Sequence, residues 1–299
     1  MRVPATVIAL LASMVSVLAC ANLSGNTKFN GESGGSLITS RTLRSALRVK
    51  TADKGIQIER ELRGATGLTN RSDYAVALMF LGRSKEAVTI LSELENQQPG
   101  IYFVAANLGT AHELSGNNRE ALRWIQEGIL RNPKSHDGTE WLHVKILEAK
   151  IRREQASDYF EKHSVLDLDP NEIVNGTPVL PAGISVAGLR DAIKYQLQER
   201  LQFVKPPDPS VAGLLVDLGA AEAVAGTLES AKDILKMAVE FGVPQAKVQP
   251  MVDQFDHVIS WRHTKTNLWI AAGVVGFLAL LAYLYKRGIF VLSSKDLKR

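Results

Sequence analysis

Three patterns alternate along the chain. Residues 7–19 and 268–285 are runs almost free of polar side chains, and residues 22–40 are rich in Asn, Ser and Gly. Between 41 and 262, apolar residues recur at the three-to-four-residue period of an amphipathic helix, punctuated by Gly and Pro. The pattern predicts a helix over 41–63 built around Leu43 and Leu47, paired helices over 67–135, and a less regular pair over 139–170. A loop over 171–185 follows, marked by Gly176, Pro178, Pro181 and Gly183. Next come a helix over 186–204, a break at Pro206-Pro207, a further pair over 212–244, and a last helix over 245–262. The expected fold class is all-α.

The two apolar runs predict placement. Met1 and Arg2 ahead of residues 7–19 form the short basic and apolar regions of a secretory signal peptide, too short to span a bilayer. Two processing readings stand. Ala19-Cys20-Ala21 fits cleavage after Ala21, giving a signal peptide over 1–21. Val17-Leu18-Ala19-Cys20 resembles a bacterial lipobox, with Cys20 as the lipidated residue. Residues 22–66 are then a flexible leader followed by a basic helix, whose Arg41, Arg44 and Arg48 form a solvated face.

Residues 268–285 read LWIAAGVVGFLALLAYLY. As a helix they extend roughly 27 Å, enough with their flanks (267–286) to cross a bilayer core. Trp269 at one end and Tyr283 and Tyr285 at the other suit the two interfaces. Lys286, Arg287, Lys295, Lys298 and Arg299 follow the span, against Arg262 and Lys265 before it. That asymmetry predicts a cytoplasmic tail at 287–299 and an exported bulk. Ala272 and Gly276, four apart, are a small-residue pair able to pack helix on helix, a route to a homo-oligomer or a membrane partner.

Within the helical middle, two segments align at a spacing of 34. Gly82, Ala87, Leu91, Leu94 and Pro99 correspond to Gly116, Ala121, Ile125, Gly128 and Pro133, and Leu108-Gly109 opens the second. Downstream, Leu218-Gly219, Gly226, Ala231, Leu235 and Ala238 keep the same internal spacing, with Pro244 one place late. Small residues at Gly109, Ala121, Gly219 and Ala231 suit the close crossing of two antiparallel helices. Gly82, Gly116 and Gly226 suit a turn with positive φ, and Pro stops the second helix. This resembles the tetratricopeptide repeat family. The resemblance covers two units over 67–135, a degenerate third ending in Leu168-Asp169-Pro170, and one strong unit at 212–244 in the second helical part, 186–262. It implies a helical-hairpin solenoid with one C-terminal transmembrane helix.

Chemistry adds little. The string Gly31-Glu32-Ser33-Gly34-Gly35 satisfies G-x-S-x-G but lacks the strand and helix that a nucleophile elbow needs. His136 and His143 share a face only if helix already covers His136. Asp167, Asp169 and Asn171 open a calcium-loop pattern that fails at Glu172 and Pro178, and read better as a repeat terminus with a helix cap. No zinc, Walker or dinucleotide motif is present, so no catalytic residue, metal or cofactor is expected. Lys and Arg total 35 against 31 Asp and Glu, a net +4 with no long basic run, and nucleic acid is not expected as a partner. The sequons at Asn22, Asn70 and Asn175 keep a eukaryotic secretory address open beside a bacterial inner-membrane one.

What remains is binding of other proteins. The resemblance implies a concave groove lined by first helices, holding a peptide or helix. In its register the groove positions include Phe103, Asn107, Thr110 and Glu113, with Asp73 and Asp217 falling where Asn107 does. The Asn107 position belongs to a carboxylate clamp in some members, but the cationic partners it needs fall on Asp137 and Trp141, or on Trp141 and Lys145 one turn along, so the clamp is incomplete. Trp124 and Trp141 read as packing residues. An accessory subunit held to a membrane complex through its transmembrane helix is the alternative.

Overall fold

A computed structural model describes residues 38–48, 51–180 and 183–288. The signal peptide, Cys20, the G-x-S-x-G string and most of the basic tail lie outside the described residues. Among those described, thirteen α-helices and one 3₁₀ turn (Ser135–Gly138) occur and no strand does. The helices are α1 (Ile38–Arg48), α2 (Thr51–Leu62), α3 (Leu68–Phe80), α4 (Ser84–Gln97), α5 (Tyr102–Leu114), α6 (Asn118–Arg131) and α7 (Glu140–Gln155). They continue with α8 (Tyr159–Lys162), α9 (Pro170–Asn175), α10 (Val186–Arg200), α11 (Pro209–Ala225), α12 (Leu228–Glu240) and α13 (Gln245–Lys286).

From α2 to α7 each helix packs on the next, and α3 also touches α5. Glycine sets the hairpin geometry. A Cβ at Gly109 in α5 would sit 2.7 Å from Cδ1 of Ile125 in α6, and one at Gly219 in α11 would sit 2.7 Å from Cδ2 of Leu235 in α12. The two crossings use residues at the same offset, so α5–α6 and α11–α12 are built alike. Gly82 (φ 72°) and Gly116 (φ 85°) turn the chain in the left-handed region. Gly226 departs from the expectation, with φ −133°. A Cβ there would meet the Glu222 carboxylate, the movable end of a side chain, so positive φ is not what places glycine at this turn.

Several differences from the sequence expectations stand out. Residues 139–170 have a full α7 but only a four-residue α8, and the expected 171–185 loop begins with the short α9, whose N-cap Asp169 accepts the Asn171 amide at 2.8 Å. The basic helix is two helices, and α1 is docked: Leu43 is fully buried in a core shared with α7 and α9–α13. Arg44 of α1 pairs with Glu240 at 3.3 Å, and Lys205 Nζ donates to the Leu47 carbonyl at 3.1 Å. The first described helix is thus anchored against α10 and α12.

The last helix and the apolar span form one element. α13 runs 42 residues without a break, because 251–286 contains neither Pro nor a helix-ending glycine pair. Its first turns pack on α12 through Val248, Met251 and Phe255. None of its apolar window is buried, and this helix is long and apolar enough to cross a membrane. Packed part and span are therefore one rod of about 63 Å at 1.5 Å per residue.

Candidate functional site: the face of α3, α5 and α7

The faces of α3, α5 and α7 surround a cavity of about 250 Å³. Phe103, Asn107, Thr110 and Glu113 line it from α5, one to two turns apart on one side of that helix. Phe80 joins from α3, His136, Glu140 and His143 from the 3₁₀ turn and α7. Asp73 does not reach it and is exposed on α3. Asn107 donates to the Ser72 hydroxyl at 3.0 Å, tying α5 to α3, and the Thr110 hydroxyl donates to the Ala106 carbonyl at 3.2 Å.

Part of the wall comes from the second helical part. Gln196, Arg200 and Phe203, at the end of α10 and just beyond, lean into the space. Phe203 stacks on Phe80 with ring centres 4.9 Å apart, and Gln196 donates to the Thr139 hydroxyl at 3.2 Å.

At the floor lies a chain of alternating charges. Glu113, with its side chain 4 % exposed, accepts from the two terminal guanidinium nitrogens of Arg200, from Lys150 Nζ at 2.7 Å and from His143 Nε2 at 2.8 Å. On its other side His143 Nδ1 lies 3.4 Å from Glu140 Oε2, and Glu140 Oε1 meets His136 Nδ1. Burial alone would raise Glu113, but Arg200, Lys150 and His143 hold it well below the usual carboxylate range. Burial also works against ionised Glu140, and the two imidazoles overcome it, bringing Glu140 down to about 2. Desolvation lowers His143 and the flanking carboxylates reverse it, so His143 is raised; the Glu140 hydrogen bond raises His136. The arrangement is a compensated ion network with two buried atoms that lack a hydrogen-bond partner, Arg200 Nε and Glu140 Oε2.

This floor was partly legible. Glu113 and the pair His136/His143 stand out by spacing, yet Arg200 lies 87 residues from Glu113 and no local pattern joins them. His136 lies in the 3₁₀ turn, outside α7, and still converges with His143 on Glu140. Among the described residues no cluster of His, Cys, Asp and Glu suited to a metal is found. The clamp cations of the resemblance are not assembled: Lys145 is exposed and paired with Glu148 at 2.9 Å.

Asp217 lines a second cavity, of about 760 Å³, walled by α8, α9, α11 and the starts of α12's exit loop and α13. Trp124 packs beside the α3–α5 core with Arg123 over its ring at 4.4 Å, and Trp141 packs against the larger core. Ala272 and Gly276 lie on the bare face of α13, where Gly276 has open space around it.

No protein-family model matches this chain, and no curated protein matches it.

Proposed function

We propose that the protein is a membrane-anchored, exported scaffold of tetratricopeptide-like design, and that the α3/α5/α7 face holds an extended segment of another protein. The observation that carries this reading is the convergence of Phe103, Asn107 and Thr110 on one cavity with the unpartnered Arg200 Nε. An apolar side chain of the partner fits between Phe103 and the Phe80–Phe203 stack, and its backbone carbonyl is the acceptor that Arg200 Nε lacks. A buried guanidinium N–H without an acceptor costs about 1–3 kcal/mol, so a ligand oxygen there recovers stability on binding.

The solenoid reading draws support from the matching Gly109–Ile125 and Gly219–Leu235 crossings. The address draws on the bare apolar helix and the basic residues after it: bulk facing the periplasm of a bacterial inner membrane, tail in the cytoplasm. Exposed Asn70 and Asn175 keep the eukaryotic type I alternative alive. Affinity capture of the full chain in mild detergent tests the groove. Recovery of a protein by wild type and its loss with Phe103→Ala is the expected result; equal recovery by both refutes it.

A second reading has its own observation. The Ala272–Gly276 face of α13 is uncovered, which suits a membrane subunit packing through the span. Replacing both residues with Leu then dissociates the complex and leaves groove-dependent capture untouched.

A further inference from the structure

The cavity lined by Asp217 lies apart from the α3/α5/α7 face and stands or falls independently of the groove reading. Its walls are mostly apolar and stiff: Phe160, Phe241, Pro209, Pro244 and Met251 contribute. Asp217 projects from α11 into this setting. It is 1 % exposed, and its Oδ2 has no partner. Aligned on the pairs Leu108-Gly109 and Leu218-Gly219, Asp217 occupies the place of Asn107. There the amide is answered by the Ser72 hydroxyl, so an uncharged side chain satisfies the hairpin's needs at that place. At Asp217 an acid stands where the scaffold offers it nothing.

A buried carboxyl without a partner is costly to ionise, and burial pushes Asp217 up to about 8, with the Asp167 charge adding to the effect. Most of the other charged groups at the cavity are committed elsewhere. Lys162 pairs with Asp158 at 2.5 Å, Asp167 accepts the Ser164 amide at 2.9 Å with His163 beside it at 3.3 Å, and Asp169 caps α9. Glu161 and Lys247 sit exposed at the rim. Three helix N-termini border the space, but those of α9 and α11 are answered by their own carboxylates, Asp169 and Asp208, the latter accepting the Val211 amide at 2.9 Å. The unanswered charge at depth is therefore acidic, and the rings of Phe160 and Phe241 are surfaces on which a cation is favoured.

We propose that this cavity binds an alkylammonium or guanidinium group, with the Asp217 carboxylate as its counter-ion and the Phe and Pro walls around its stem. The volume exceeds that of one side chain, so the cation can arrive on a protein segment as Lys or Arg or as a free aliphatic amine. On binding, Asp217 gives up its proton to solvent and becomes the carboxylate, so the complex forms with net proton release at neutral pH.

Isothermal titration of the full chain in mild detergent tests this, with N-acetyl-arginine methylamide and N-acetyl-lysine methylamide as side-chain probes and agmatine and cadaverine as free amines. N-acetyl-norleucine methylamide serves as the uncharged control and acetate as the anionic one. The cationic probes should bind at least about tenfold more tightly than norleucine, a difference within reach of one charge-assisted contact. In two buffers of different ionisation enthalpy the heats should differ by the amount expected for proton release. Asp217→Asn should remove both the preference and the proton release while keeping the wild-type helical spectrum. Stronger binding of the blocked residues identifies a protein segment as the source, and stronger binding of the free amines identifies a small molecule. Equal binding of norleucine and the cations, a preference for acetate, no binding at all, or an unchanged preference in Asp217→Asn overturns the proposal.

Discussion

Replacing Arg200 with Met probes the contact that joins the two helical parts across the groove. Met keeps most of the buried aliphatic stem and deletes the guanidinium. Glu113, 4 % exposed, then loses two of its four donors and keeps Lys150 and His143. Removing one partner of a buried ion pair costs about 3–5 kcal/mol, and the two remaining cations place this case near the lower end, about 3 kcal/mol. For a domain of this size that corresponds to a fall of about 6–12 °C in Tm. Far-UV circular dichroism on heating the full chain in mild detergent measures it. The paired replacement Glu113→Gln with Arg200→Met removes the stranded charge, leaves Lys150 and His143 an acceptor, and should recover part of the loss. The cycle should then show a coupling of about 2 kcal/mol, well above what independent sites give. A loss under about 1 kcal/mol for Arg200→Met, or simple additivity in the double variant, would refute the reasoning that the Glu113–Arg200 contact joins the two helical parts at the floor of the groove.

Gly109→Ala places a methyl 2.7 Å from the Ile125 side chain and should cost about 1–3 kcal/mol by overpacking, read by chemical denaturation. Gly82→Ala meets open space and only backbone strain at φ 72°, so about 1 kcal/mol is expected there. Leu43→Ala empties a fully buried site in α1 and should cost about 2–5 kcal/mol, with proteolysis of the 38–48 segment accelerating first. Stability should also peak between acid and alkaline limits. Glu113 and Glu140 are lowered from 4.5, so their contribution is present above that value and drains as pH falls towards about 2, where Glu140 titrates. His143 is raised from 6.5, so its share is complete below 6.5 and disappears as pH climbs through its higher native value. Asp217 acts in the opposite sense to the glutamates: raised from 3.8 to about 8, it keeps its proton in the fold where the unfolded chain has lost it. It therefore subtracts roughly 1.4 kcal/mol per pH unit across that window. Asp217→Asn should remove this slope in urea titrations run at several pH values; an unchanged slope rejects the assignment.

The hairpins were legible because their constraints are local. A glycine where α5 meets α6, repeated where α11 meets α12, and glycine turns at 82 and 116 are set by neighbours within about 16 residues. The long apolar helix was legible because a run of 18 residues without charge stands out in the sequence. The groove positions Phe103, Asn107 and Thr110 came from the register of the repeat resemblance, and helical phase then keeps them on one side of α5. The docking of α1 was hidden because it rests on Leu43 and a few polar contacts with residues about 190 positions away. Nothing in an eleven-residue basic helix announces such a partner. The Glu113–Arg200 contact was hidden for the same reason. The continuity of α13 was obscured by the polar stretch 262–267, which reads as a boundary by composition but offers the backbone no reason to stop.

The central claim is that the face of α3, α5 and α7 holds a segment of another protein at the membrane. A photoreactive phenylalanine analogue at position 103, introduced into the full chain in native membranes and irradiated, tests it most directly. Phe103 is partly buried at the edge of the cavity, so the probe reports on what sits in the groove. The account predicts a discrete protein adduct at 103 that is absent when the same analogue replaces exposed Leu130 on α6. Lipid adducts alone, or the same protein adducts from both positions, would contradict it.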